Sequence, residues 1–236
     1  MVKFVNSSFK LKTLHHITAF VGAYGSGKSE VSANFAVWLA GTGHPVTLCD
    51  LDMINPFYRT ADAAAALEAR GIRMIVPQFA GTNVDVPALP PAVRSVFDQP
   101  GGYAVLDIGG EDLGARVLAS LRPEMAAADT AVYMVINTSR PQTATVEKIL
   151  EQAASLAAAA ALELDGLVQN TNLLEATDPD TLLRSDPILQ EAADILGLPV
   201  VFAAAIPQSV PDSWRDAARP CLLMERFITY PGSSLA

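Results

Sequence analysis

Short apolar runs alternate with longer stretches of helical period along most of this chain. Residues 17–21 read as a buried strand. Residues 29–40 follow as a helix, with Val31, Phe35, Trp38 and Leu39 at i, i+4, i+7 and i+8 on one face. Gly41 and Gly43 end that helix. Further strands are predicted at 45–49, 103–107, 131–136, 167–168 and 200–202, with helices at 61–70, 146–162 and 187–196 between them. Fully apolar strands separated by helices predict an α/β fold of three layers. Its central sheet is mostly parallel, helices cover both faces, and ligands bind at the carboxyl ends of the strands. Residues 81–102 contain Pro87, Pro90, Pro91 and Pro100 and are expected to form an irregular excursion beside the sheet. Beyond Pro220 the pattern predicts no more than one last strand or helix. A chain of 236 residues, half of them apolar, is long enough for one large core, so a single domain over 1–236 is expected.

Composition removes several classes of function. A net charge of −9 disfavours a broad hold on nucleic acid. No apolar run reaches membrane-spanning length, because the alanine-rich tract 153–161 is bounded by Glu151 and Gln152 before it and Glu163 and Asp165 after it. The first residues lack the apolar centre of a secretory signal, so the cytoplasm is the expected compartment. Neither a membrane nor nucleic acid is expected as a partner. Cys49 and Cys221 stand alone and read as buried thiols rather than a disulfide framework or a zinc site. His15, His16 and His44 are isolated and read as exposed or structural.

The chemistry concentrates at Gly22-Ala23-Tyr24-Gly25-Ser26-Gly27-Lys28-Ser29, a full G-x-x-x-x-G-K-[ST] pattern between a strand and a helix. A triphosphate needs backbone N–H groups free of Cβ obstruction, a cation and a hydroxyl for the metal. Gly22, Tyr24, Gly25, Ser26 and Gly27 supply the loop, Lys28 reaches the β- and γ-phosphates, and Ser29 takes one position on Mg²⁺. A second signal is the strand 103–107, which delivers Asp107 and then Gly109 and Gly110. Asp107 is expected to hold Mg²⁺, and the two glycines to approach a γ-phosphate and shift when it is lost. A third is Asp50-Leu51-Asp52, directly after the strand that follows the first helix.

With these three signals the chain resembles, over roughly residues 16–210, the dimeric P-loop ATPases of the SIMIBI class that include MinD, ParA, the arsenite-pump ATPase and the nitrogenase iron protein. The resemblance implies that Asp52 positions or deprotonates the attacking water, with Asp50 in support, and that either can stand in the outer shell of the metal. Leu167-Val168-Gln169-Asn170-Thr171-Asn172 is similar to the strand end whose asparagine touches the base. That implies a base contact by Asn170, with Asn172 second, while Pro207 falls in a loop resembling the family's G-x-I-P turn. No Asn-Lys-x-Asp guanine reader is present, so ATP with Mg²⁺ is the expected ligand.

One position departs from the family. Its cross-subunit lysine is replaced here by Ala23, and Arg59 and Arg140 are the candidate substitutes. Cys49 and Cys221 do not match the iron–sulfur branch. Trp214 is either an interface anchor or a core residue. The resemblance implies a slow ATPase acting as a nucleotide-driven dimerisation switch for a protein client, such as a metalloenzyme under assembly. The alternatives are an ATP-dependent small-molecule enzyme resembling dethiobiotin synthetase or the cobyrinate amidation enzymes, and a DNA or membrane positioning ATPase.

Overall fold

In the computed structural model, which describes residues 2–5, 14–52, 60–76, 89, 91–99, 101–215 and 220–228, the apolar runs join one sheet of nine strands. Its first half contains β1 (Lys3–Val5), β2 (Ile17–Val21), α1 (Lys28–Ala40), β3 (Val46–Leu51), α2 (Ala64–Glu68), β4 (Ile72–Ile75), α3 (Pro91–Arg94) and β5 (Tyr103–Ile108). The second half contains α4 (Glu111–Ala127), β6 (Thr130–Ile136), α5 (Val146–Ala160), β7 (Gly166–Gln169), α6 (Pro179–Leu196), β8 (Val200–Ala205), α7 (Asp212–Arg215) and β9 (Cys221–Leu223). The strand order is β1-β9-β8-β7-β6-β2-β5-β3-β4, with every neighbouring pair parallel except β1 and β9. This is the three-layer α/β architecture the sequence pattern predicts.

Strand β2 shows why both faces must be covered. Ile17, Ala19 and Val21 point into a core shared with α4, α5 and α6, while Phe20 points into a second core under α1 and α2. All five residues of β2 are buried, as a strand covered on both sides requires. Phe35 of α1 stacks on Phe202 of β8 with ring centroids 5.8 Å apart, and Phe20 meets Phe35 edge-on at 5.3 Å. Phe4 then packs edge-on against Trp38 at 4.8 Å, which fastens the edge strand β1 to α1. Because β2 lies between β5 and β6, the chain leaves its carboxyl end at a crevice where connections run to opposite faces of the sheet. Open α/β sheets bind ligands at such a point.

Several elements differ from the sequence expectation. Helix α6 begins at Pro179, not at 187, because Asp178 caps it by accepting from Thr181 N at 2.7 Å, and Pro187 lies inside the helix. Helix α4 was not expected, since Gly114 and Pro123 interrupt its sequence. Tertiary packing nevertheless buries Val117, Leu118, Leu121 and Met125 along one side. Strands β1, β4 and β9 are three or four residues long, too short for a periodic signal. The proline-rich excursion contains α3 and a 3₁₀ turn over Ser95–Asp98. Among the described residues, no helix is long and apolar enough to cross a membrane.

Candidate functional site

The glycine-rich loop sits at the β2 crevice. Gly22, Gly25 and Gly27 have φ of 144°, 75° and 83°, conformations that residues with a Cβ rarely adopt. At Gly27 a Cβ would also stand 2.3 Å from Asn170 Nδ2, so only glycine fits between the loop and the end of β7. Helix α1 starts immediately afterwards with no side-chain cap, which leaves first-turn N–H groups directed at the loop. Lys28 is 6% exposed, and its Nζ donates to Ala23 O at 3.2 Å, folding the side chain back along the loop. Ala23 is itself buried. Ser26 is buried within the loop, and Tyr24 stands 55% exposed on its rim.

Three carboxylates converge beside Lys28 from two neighbouring strands. Asp50 and Asp107 are register partners in β3 and β5, and Asp52 follows β3 by one residue. Asp50 accepts from Asp52 N at 3.1 Å and from Ala61 N at 2.8 Å, so it organises the turn out of β3. Asp107 is fully buried, and neither oxygen has a hydrogen-bond partner of good geometry. Burial, reinforced by the charges of Asp50 and Asp52, pushes its pKa up to about 7 against the pull of the Ser29 hydroxyl and Lys28. Gly109 packs on Asp52: a Cβ there would lie 2.8 Å from Asp52 Oδ1 and 3.2 Å from its Cα. A Cβ at Gly110 would lie 3.1 Å from Tyr24 N.

This donor set fits Mg²⁺. A dry carboxylate with no hydrogen-bond partner of good geometry, beside a serine hydroxyl, is suited to a hard divalent cation. Among the described residues, no three His, Cys, Asp or Glu side chains form an all-protein metal cage. Mg²⁺ at phosphate sites needs none, because one or two protein oxygens, phosphate oxygens and water complete its shell. Ser29 and Asp107 would hold it, and it would neutralise charge on the phosphates.

The loop continues into a cavity of about 550 Å³, a size suited to a nucleotide. Asn170 donates from Nδ2 to Ser26 O at 2.7 Å and so ties β7 to the phosphate loop, while its Oδ1 is buried without a partner. Asn172 donates from Nδ2 to Asn170 O at 2.8 Å, and Asn137 braces the same turn from β6 by donating to Asn172 O at 3.1 Å. Arg140 reaches the loop within the same chain, its Nε donating to Gly25 O at 3.1 Å. Arg59 lies outside the described residues. Pro207 is exposed at the start of a 3₁₀ turn and does not line the cavity, whereas Ala204, Ala205 and Ile206 just before it do.

Sequence reading missed one wall altogether. Met224, Glu225 and Arg226, just past β9, line the cavity together with Glu30 of α1. Glu30 accepts from Phe227 N at 2.7 Å and Ile228 N at 3.1 Å. Burial pushes its pKa up to about 7 even though these bonds and Arg226 pull it down. The signal available in the sequence was a carboxylate directly after Ser29, which helical pattern alone assigns to solvent.

The remaining candidates have structural partners. Trp214 is buried and its Nε1 donates to Asp186 Oδ2 at 3.1 Å, so it is a core residue rather than an exposed anchor. His15 pairs with Asp129 at 2.7 Å, His16 bonds the carbonyls of Gly102 and Val96, and His44 meets the Tyr103 ring edge-on. Both cysteines are buried and free, and burial pushes the Cys49 thiol up to about 12.

No protein-family model matches this sequence, and no curated protein does. Solved structures do share its fold. The signal recognition particle receptor FtsY from Elizabethkingia anophelis, in complex with GDP, aligns with a TM-score of 0.55 at 18% identity, covering 94% of this chain and 64% of that one. The 54 kDa signal recognition particle protein from Aeropyrum pernix K1, also in complex with GDP, aligns at 0.53 and 17% identity, covering 83% of this chain and 42% of that one. FtsY from Thermotoga maritima aligns at 0.52 and 18% identity, covering 91% and 66%. The chain thus spans less than two thirds of the first two proteins. At these identities the likeness establishes the fold alone, a mostly parallel sheet between helices in the three-layer α/β arrangement of P-loop NTPases.

Proposed function

We propose that this chain is a Mg²⁺-dependent ATPase of the MinD/ParA-like kind, acting as a nucleotide-driven dimerisation switch for a protein client. The observation that carries the reading is the pairing of the glycine loop and buried Lys28 with Asp107, a dry carboxylate with no hydrogen-bond partner of good geometry. Such an arrangement is poorly balanced alone and becomes balanced when a metal and polyphosphate enter. Lys28 and the loop amides bind the phosphates, and Ser29 and Asp107 hold the metal. Asp52, anchored through its N–H by Asp50 and pressed against Gly109, orients the attacking water. With Ala23 at the signature position, Arg140 is the described arginine at the loop able to face developing negative charge.

The base identity rests on the acids nearest the wall formed by residues 224–226. Two similar structures contain GDP, so guanine is the rival. A guanine reader needs a carboxylate for its N1 and N2 donors. Here Glu225 is paired with Arg70 at 2.7 Å and Glu175 with Arg226, which favours adenine. Competition titration of ATP against GTP in Mg²⁺ tests this; equal or tighter GTP binding would reverse the assignment. Light scattering of Asp52→Ala protein tests the switch. A larger mass in MgATP than in MgADP is expected, and equal masses would refute dimerisation. Turnover that requires an added small carboxylate would instead identify a small-molecule enzyme.

A further inference from the structure

Helix α1 carries two polar residues one turn apart, Glu30 and Asn34, on a side where its sequence pattern predicts exposure. Asn34 is fully buried. It donates from Nδ2 to Glu225 O at 2.9 Å and accepts from Glu225 N at 2.8 Å, the pairing a neighbouring strand would make. Glu30 accepts from the N–H groups of Phe227 and Ile228, past Arg226. The segment 224–228 is therefore bonded along its length to the helix that begins in the phosphate loop, with Glu30 directly after Ser29. Outside, Arg70 binds Glu225 and lies over the Phe227 ring, 4.7 Å from its centroid. Arg226 reaches the other way and pairs with Glu175 in the loop after β7.

These contacts place a strap along one wall of the cavity. Met224 and Arg226 face the cavity alongside Ile206 and Leu174. Apolar side chains around a slot suit the faces of a planar base, and a thioether packs favourably against an aromatic ring. The Arg226–Glu175 pair ties the strap to the turn that carries Leu174 and Thr177, both of which line the cavity.

We propose that residues 224–228, clamped to α1 by Glu30 and Asn34, form the nucleoside-recognising wall of the site, with Met224 against the base and Arg226 closing the wall through Glu175. This rests on the nucleotide-binding reading above and adds the residues that separate a nucleotide from bare polyphosphate. Glu30 is a positioning residue: it touches the strap, and acts on the ligand through it.

The test compares MgADP with magnesium tripolyphosphate, which has phosphates and no nucleoside, by titration calorimetry on the full chain. Arg226→Ala and Glu30→Gln are expected to weaken MgADP about tenfold or more while changing tripolyphosphate affinity less than about threefold. Glu175→Ala, at an exposed position, should match Arg226→Ala and guards against a fold defect in either. If the variants lose both ligands equally, or neither, the wall is misassigned. If wild-type protein binds both ligands and the strap variants bind both as wild type does, the phosphate site stands and the strap proposal alone fails. If wild-type protein binds neither ligand, both readings fail.

Discussion

Two carboxylates near the glycine-rich loop, Asp107 and Glu30, both have pKa values pushed up to about 7 chiefly by loss of water, yet their surroundings differ. Asp107 at the phosphate end has no hydrogen-bond partner of good geometry and has two other aspartates close by. Glu30, beside the strap 224–228, is half-buried, and it accepts from two backbone N–H groups and from Asn34. The first is an unfinished site, whose charge is balanced only when something enters. The second is a finished joint, whose partners come from the chain itself. A raised carboxylate pKa therefore does not by itself mark chemistry; the satisfaction of its oxygens separates a ligand-binding group from an architectural one.

The largest expected effect breaks the phosphate end at its reactive step. Asp52→Asn should cut ATP hydrolysis by about 10²-fold or more while leaving MgATP affinity near wild type, as measured by phosphate release alongside titration calorimetry. Normal turnover in that variant, with loss in Asp50→Asn instead, would exchange the roles of the two acids. Next comes Lys28→Ala, which removes a charge-assisted contact to phosphate and should weaken MgATP and magnesium tripolyphosphate alike, by about 10- to 100-fold. That uniform loss is the counterpart of the selective loss expected from the strap variants.

The joint at Glu30 has a pH signature. Its folded pKa of about 7 lies above the ordinary 4.5, so the folded protein binds this proton more tightly than the unfolded chain. The stabilisation is complete below about pH 4.5 and is lost as pH rises to about 7. Relative to Glu30→Gln, wild-type protein without nucleotide should therefore lose up to about 3 kcal/mol between those limits, measured by urea unfolding. Asp107 is present in both proteins and largely cancels. A constant difference across that range would show that Glu30 titrates normally. The smallest effect concerns Cys49, whose thiol is pushed up to about 12. Native protein at pH 8 should resist iodoacetamide at Cys49, and labelling at the rate of a free thiol would contradict its burial.

The phosphate end was legible because it is local. Residues Gly22 to Ser29 are consecutive, and the loop geometry follows from where glycines allow positive φ and where a strand gives way to a helix. Asp50, Asp52 and Asp107 were legible for a related reason: parallel strands end at one edge of the sheet, so acids at strand ends are brought together by topology. Short apolar runs likewise determined the central strands, and with them the α/β class.

The wall around residues 224–228 was decided by tertiary structure. Glu30 and Asn34 look like the wet side of a helix, and nothing in their spacing announces residues 224–228, which arrive from almost two hundred positions away. Those residues reach α1 because β9 adds to the sheet beside β8 and carries the chain past the first turn of that helix. The same holds for Asn170, legible as a strand-end amide but held by Ser26, and for helix α4, where buried contacts overrode a glycine and a proline. Periodicity records which side of an element is apolar. It does not record which polar groups will lose their water, because that depends on what packs over them.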